Sequence, residues 1–166
     1  MRKIIFGFFI FGLTFQVQSQ TIELTKTVIA SNYQYHNAIE THEAPQPVKK
    51  LEDAVLNYKT TELCKLFESD KDIYTVKFTT QEGEIVAAYN KKGEIINTIE
   101  KYNNVRLPLA VMQAIATRFP NWGIVEGIYL VKYKSEQDLL NQQYKLKIKN
   151  ENQVITVNTD PNGVFL

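Results

Sequence analysis

His36 and His42, the only histidines of the chain, fall in His-Asn-Ala-Ile-Glu-Thr-His-Glu together with Glu40 and Glu43. Imidazole and carboxylate at that spacing are the donor types of a transition-metal site. The stretch runs into Pro45 and Pro47, however, with no rigid helix of its own to fix ligand geometry. It reads as a solvated linker, and no metal ligand is assigned. Asp160-Pro161-Asn162-Gly163 offers the oxygen donors of a calcium loop. An EF-hand needs further ligands and a bidentate glutamate at its twelfth position, and none of these follows Gly163. A hairpin turn accounts for the same residues: Asp opens turns, Pro sets φ, and Gly accepts the reversed φ.

Covalent catalysis needs a nucleophile beside a base. The chain has no Gly-x-Ser-x-Gly elbow, and with both histidines in one linker no Ser/His/Asp set forms. The P-loop, the His-Glu-x-x-His helix and the dinucleotide glycine fingerprint are also missing. Asp70, Asp72, Glu82 and Glu84 flank turns, where solvated charge is the ordinary explanation. No catalytic residue and no cofactor is assigned, and the chain is read as a non-enzyme.

Aromatic residues are the remaining lead. In 124–134, Ile124, Ile128 and Leu130 point one way while Val125, Tyr129, Val131 and Tyr133 point the other. A helix laid over the first set leaves Tyr129 and Tyr133 on an open sheet face, the side chains most enriched at binding hot spots. The competing reading packs them against the other half of the chain or the N-terminal arm. Trp122 divides the same way, between closing the base of a helix and anchoring a partner. Trp122, Tyr129 and Tyr133 are therefore the candidate binding residues. Lys145, Lys147 and Lys149 alternate with Tyr144, Leu146 and Ile148, so they wet the opposite face and block edge pairing.

These residues must be positioned by two stretches seventy residues apart, 72–96 and 142–166, each an antiparallel hairpin closed by a glycine turn. Laid over each other they match Tyr74 to Tyr144, Lys77 to Lys147, Ile85 to Ile155 and Gly93 to Gly163, four identities in 25 positions. The alternation agrees as well: Val76 and Phe78 fall on Leu146 and Ile148, and Ile95 falls on Phe165. The expected fold class is α+β, two tandem units of a helix packed on an antiparallel meander. The first unit is 47–104. Its helix runs from Pro47 with Val48, Leu51, Val55 and Tyr58 on one face, then comes a short strand or helical turn at 62–67, then strands at 73–79, 84–90 and 94–101. The second unit is 105–166. Its helix starts at Pro108, carries a stripe of Leu109, Met112, Ile115 or Ala116, and Phe119, and stops at Pro120. Strands follow at 124–134, 144–149 and 154–159. Residues 20–46 are expected to be an arm and linker, with a weak edge strand at 21–30.

The totals bound the function. A formal charge of +1 gives no field for nucleic acid. Arg2 and Lys3 precede an apolar run, 4–15, and a small residue at Ser19, the parts of a secretory signal peptide over 1–19. Cleavage near Ser19 removes two cations, leaves the mature chain at −1, and places it in the periplasm or outside the cell without stable membrane insertion. Cys64 is the only cysteine, so no intramolecular disulfide forms, and Leu63, Leu66 and Phe67 beside it suggest a buried hydrophobe.

On Val76-Lys77-Phe78, Ala88-Tyr89-Asn90 with Gly93, Leu107-Pro108, Phe119-Pro120-Asn121-Trp122, Tyr144-Lys145-Leu146-Lys147-Ile148 and Asp160-Pro161-Asn162-Gly163, the chain resembles the PepSY-like family. That family's fold is likened to β-lactamase-inhibitory proteins (BLIP-like), and the resemblance covers 47–166. It implies an envelope or extracellular protein of the Bacteroidetes type, with a protein-binding or inhibitory role against a hydrolase of the protease or β-lactamase class, and it lends no catalytic residue. The expected partner is another envelope or extracellular protein, bound by the outer sheet face and hairpin tips. The alternative is a small-ligand or metal-binding envelope protein, with a site between the units or in the histidine arm.

Overall fold

The computed structural model describes residues 32–66, 68, 72–137 and 139–166, the side chain of residue 62 excepted. The signal segment and the strand expected at 21–30 lie outside the described residues. Helix α1 spans Tyr33–Glu40, α2 Gln46–Leu56, the single turn α3 Thr61–Cys64, and α4 Leu109–Arg118. Strands β1 Tyr74–Thr79, β2 Gly83–Tyr89, β3 Ile95–Asn103, β4 Gly123–Lys134, β5 Leu139–Asn150 and β6 Gln153–Thr159 form one antiparallel sheet in the order β1-β2-β3-β4-β5-β6. The architecture is α+β, and the two halves join in that sheet through the ladder of β3 on β4.

Prolines set where the helices begin. Pro45 and Pro108 occupy the residue before the first turn of α2 and α4, and neither helix has a capping side chain. Val48, Leu51 and Val55 of α2 are buried against β1 and β2, as their spacing requires. On α4 the buried residues are Val111 and Ile115, whereas Leu109 is 64% and Met112 42% exposed. The stripe expected there is thus out of phase at its start. Helix α1 corrects the linker reading of 31–46. It has only two buried apolar side chains, Tyr35 and Ile39 one turn apart, which is too thin a stripe to announce a helix. Residues 62–67 begin as the helical turn rather than a strand, and Cys64 is half-buried beneath the Asn90–Gly93 turn rather than in the core.

The two glycine turns are built alike. Asn90 and Asp160 each donate a backbone N–H four residues on, to the carbonyls of Glu94 (3.0 Å) and Val164 (2.9 Å). Their side-chain oxygens accept from the same two residues' N–H groups at 3.0 and 2.8 Å. Gly93 and Gly163 take φ of +77° and +83°. After the turns, Tyr89 pairs with Ile95 and Thr159 with Phe165, the positions matched at a spacing of seventy. Gly163 also presses on α4: a Cβ there would stand 2.6 Å from the Ala110 carbonyl oxygen. Gly163→Ala is therefore expected to cost about 2 kcal/mol from the left-handed backbone and the displaced helix together. Thermal denaturation would read it as a Tm lower by several degrees; an unchanged Tm would show that the turn does not bear on α4.

Candidate functional site

Tyr129 and Tyr133 lie on the helix-covered face, 1% and 0% exposed, so the packing reading holds and they are corrected as candidate contact residues of an open face. Tyr129 stacks between Tyr102 (ring centroids 6.1 Å apart) and Tyr144 (4.5 Å). Tyr133 meets Tyr35 of α1 at 5.2 Å. The reason is the side on which the lysines fall. Lys132 and Lys134 share the parity of Leu130, and a lysine row is cheaper to leave in water than a tyrosine row. Trp122 is half-buried and meets Phe119 edge-on at 6.1 Å, closing the base of α4.

The histidine stretch is divided between two environments. His36 faces Glu40 across one helical turn at 3.6 Å, near the surface. His42 turns inward, its side chain 8% exposed, with Nε2 at 3.4 Å from Glu52 Oε1. Among the described residues no three His, Cys, Asp or Glu side chains gather as a metal site.

Under α1 and α2 the sheet carries a buried carboxyl that the sequence did not announce. Glu100 is fully buried. Its Oε1 accepts hydrogen bonds from the hydroxyls of Tyr35 (3.0 Å) and Thr98 (2.9 Å), and its Oε2 accepts one from Tyr102 (2.8 Å). Burial first, and then the nearby charge of Glu52, push its pKa up to about 7, against the opposing pull of the three hydroxyls. For His42 burial disfavours the cation, but the Glu52 carboxylate and the Ala38 carbonyl outweigh it and the pKa lies above its ordinary value. Glu100 itself sits beneath two helices with three hydroxyl donors in place, the arrangement of a satisfied buried carboxyl.

The open face of the sheet has a different character. One cross-strand row reads Lys77, Val86, Ile99, Lys132, Asn141, and the next Thr79, Glu84, Lys101, Leu130, Gln143. Lys134, Lys145, Lys147 and Lys149 continue the cationic surface across β4 and β5, all exposed. Glu84 pairs with Lys77 at 2.7 Å and Glu126 with Lys147 at 2.6 Å, the only outward acids on the described strands. Seven lysines thus surround an aliphatic strip in which Ile99 is 56% exposed. The strip was missed because Ile99 reads as core and Glu100 as surface, the reverse of what the register imposes.

Among the described residues no helix is long and apolar enough to cross a membrane. No family model matches the chain, and no curated protein matches it. Among solved structures it is similar to a candidate periplasmic protein from Bacteroides eggerthii, at 15% identity over 75% of this chain and 87% of that one, with a TM-score of 0.36. A DUF2874 family protein from Bacteroides ovatus is similar at 14% identity, over 75% and 86%, with a TM-score of 0.37. A BLIP-like protein from Bacteroides fragilis is similar at 14% identity, over 77% and 87%, with a TM-score of 0.34.

Proposed function

We propose that this is a non-enzymatic binding module, secreted or periplasmic, that docks an acidic surface of another envelope protein on its open sheet face. The observation that carries the reading is the segregation of seven lysines, around exposed Ile99 and half-buried Leu130, onto one face of a chain whose formal charge is only +1. Such a face steers an oppositely charged partner, and its aliphatic strip supplies contact area that solubility alone does not call for. Inhibition of a hydrolase is the finer form of the same reading, with the sheet seated across the mouth of a protease or β-lactamase-class enzyme.

The test is capture from envelope extract by immobilised wild type and by the triple variant Lys101→Glu, Lys132→Glu, Lys145→Glu, with circular dichroism confirming that both are folded. Wild type is expected to retain an acidic protein at low ionic strength. It should release that protein as the Debye length shortens from about 10 Å at 0.1 M salt to about 3 Å at 1 M. The variant should retain none. Equal capture by both proteins, or capture indifferent to salt, would overturn the reading. If the retained protein is a hydrolase, its turnover should fall on addition of wild type and not of the variant.

A further inference from the structure

On the covered side of the sheet, away from the lysine face, a cleft of about 1130 Å³ opens between the two helical halves. The α1–α2 loop, the β3–α4 loop, the Pro161–Asn162 turn and the β5 side chains Gln142 and Tyr144 enclose it. The starts of two helices form part of its wall, Pro45-Gln46-Pro47 of α2 and Pro108-Leu109 of α4. Both are preceded by proline and neither has a side-chain cap; in α2 Pro47 has no N–H and the Val48 N–H reaches the Pro45 carbonyl, which leaves the Gln46 N–H, while the first turn of α4 lacks the usual carboxylate or hydroxyl. The positive ends of two helix dipoles are thereby brought to one cavity.

Independent features point to a ligand in the same place. Gln142 Nε2 is buried and has no hydrogen-bond partner. The His42 side chain also lines the cleft, but its Nε2 is turned to Glu52 Oε1 at 3.4 Å and so is committed to that carboxylate. Arg106 stands on the rim with no ion pair among the described residues. Buried donors without acceptors are uncommon and costly in a folded protein, and an acceptor brought by a ligand removes that cost. Glu43 and Glu82 stand on the same rim and weigh against a multiply charged anion. The remaining wall is apolar: Val105, Leu107, Leu109 and Met112, with the last two unusually exposed for their size. Their exposure, unexplained by the packing of α4, is explained by a hydrophobic body lying along them.

We infer that the cleft binds an amphipathic monocarboxylate, its carboxylate received by Gln142 and the two helix starts and its apolar body resting on Leu109 and Met112. The site is separate from the open face and stands or falls without it.

Calorimetric titration and thermal shift with a series of straight-chain fatty acids of increasing length, each matched to its primary alcohol and set beside inorganic phosphate, test this directly. The acids are expected to bind with affinity that rises with chain length and to raise the Tm. The alcohols should bind at least about tenfold more weakly, as befits loss of charge-assisted hydrogen bonds. Gln142→Leu should weaken the acids by about tenfold and leave the alcohols unchanged or improved, whereas Met112→Glu on the exposed first turns of α4 should weaken both. Wild-type affinity in both variants, equal binding of acid and alcohol, tighter binding of phosphate, or saturation by no member of the series would each overturn the assignment. Retention of the acidic protein partner by Gln142→Leu keeps the outcome distinct from that of the open face.

Discussion

Glu100→Gln is expected to remove most of a rise in stability that the wild-type protein shows as the pH is lowered from about 7.5 to about 5. Burial holds the carboxyl's pKa up at about 7 in the folded protein, against the ordinary 4.5 of a glutamate in the unfolded chain. Between those values the folded state binds the proton and the unfolded state does not, so unfolding becomes harder as the pH falls. The stabilisation is complete below the unfolded value and is lost as the pH climbs through the folded one. Each pH unit in that window is about 1.4 kcal/mol, so the full excursion is on the order of 3 kcal/mol. His42 acts with the same sign, because its raised pKa also favours the protonated folded form and that contribution is lost as the pH rises. Glutamine keeps the oxygen that Tyr35 and Thr98 reach and offers Tyr102 an amide N–H, which the phenol oxygen can accept. The variant should fold and show a flatter profile. Glu100→Ala leaves three buried hydroxyls without an acceptor, at about 1–3 kcal/mol for each. That sum consumes much of an ordinary domain's stability of about 5–15 kcal/mol. Urea denaturation across the pH range measures both, and parallel profiles for wild type and Glu100→Gln would show that the carboxyl is not the titrating group.

Tyr129→Ala is expected to destabilise the protein by about 3–5 kcal/mol, the range for deleting a large aromatic from a packed interior. The ring lies between Tyr102 and Tyr144, and both neighbours lose their stacking partner when it goes. A residue three positions further along the strand gives the contrast. Lys132 points into solvent from the same strand, and Lys132→Ala should stay within about 0.5 kcal/mol of wild type. Urea midpoints separate the two outcomes. A Tyr129→Ala protein of wild-type stability would place the tyrosine on the open face after all.

Much of the fold was legible because turns and alternation are local. Gly93 and Gly163 sit where the sequence needs positive φ, and β1, β2 and β6 lie within a residue or so of their expected ends. What alternation supplies is parity; it does not say which parity meets the helices. In β4 both sets carry apolar residues, and the lysines at 132 and 134, with the cross-strand register to Tyr102 and Tyr144, decide for Tyr129 and Tyr133. The same ambiguity concealed the site. Gln142 and Glu100 look like surface residues until the register turns them inward, while Leu109 and Met112 look like core by their spacing and stand exposed. His42 was conspicuous by type, but its partner Glu52 lies on the next helix, where residue spacing gives no hint of proximity. Nor could α1 be read, since a helix whose burial rests on Tyr35 and Ile39 is specified by what it covers.

Because every strand pairs with the next one along the chain, the sheet assembles from neighbours, each ladder closing a short loop at little entropic expense except that of β3 on β4, which spans α4. The hydrogen bond from Tyr35 to Glu100 is another matter, spanning 65 residues and waiting for β3 to exist before it has anything to hold. Assembly should accordingly run in two tempos, a quick ribbon and a slower seating of α1 that seals the carboxyl away from water.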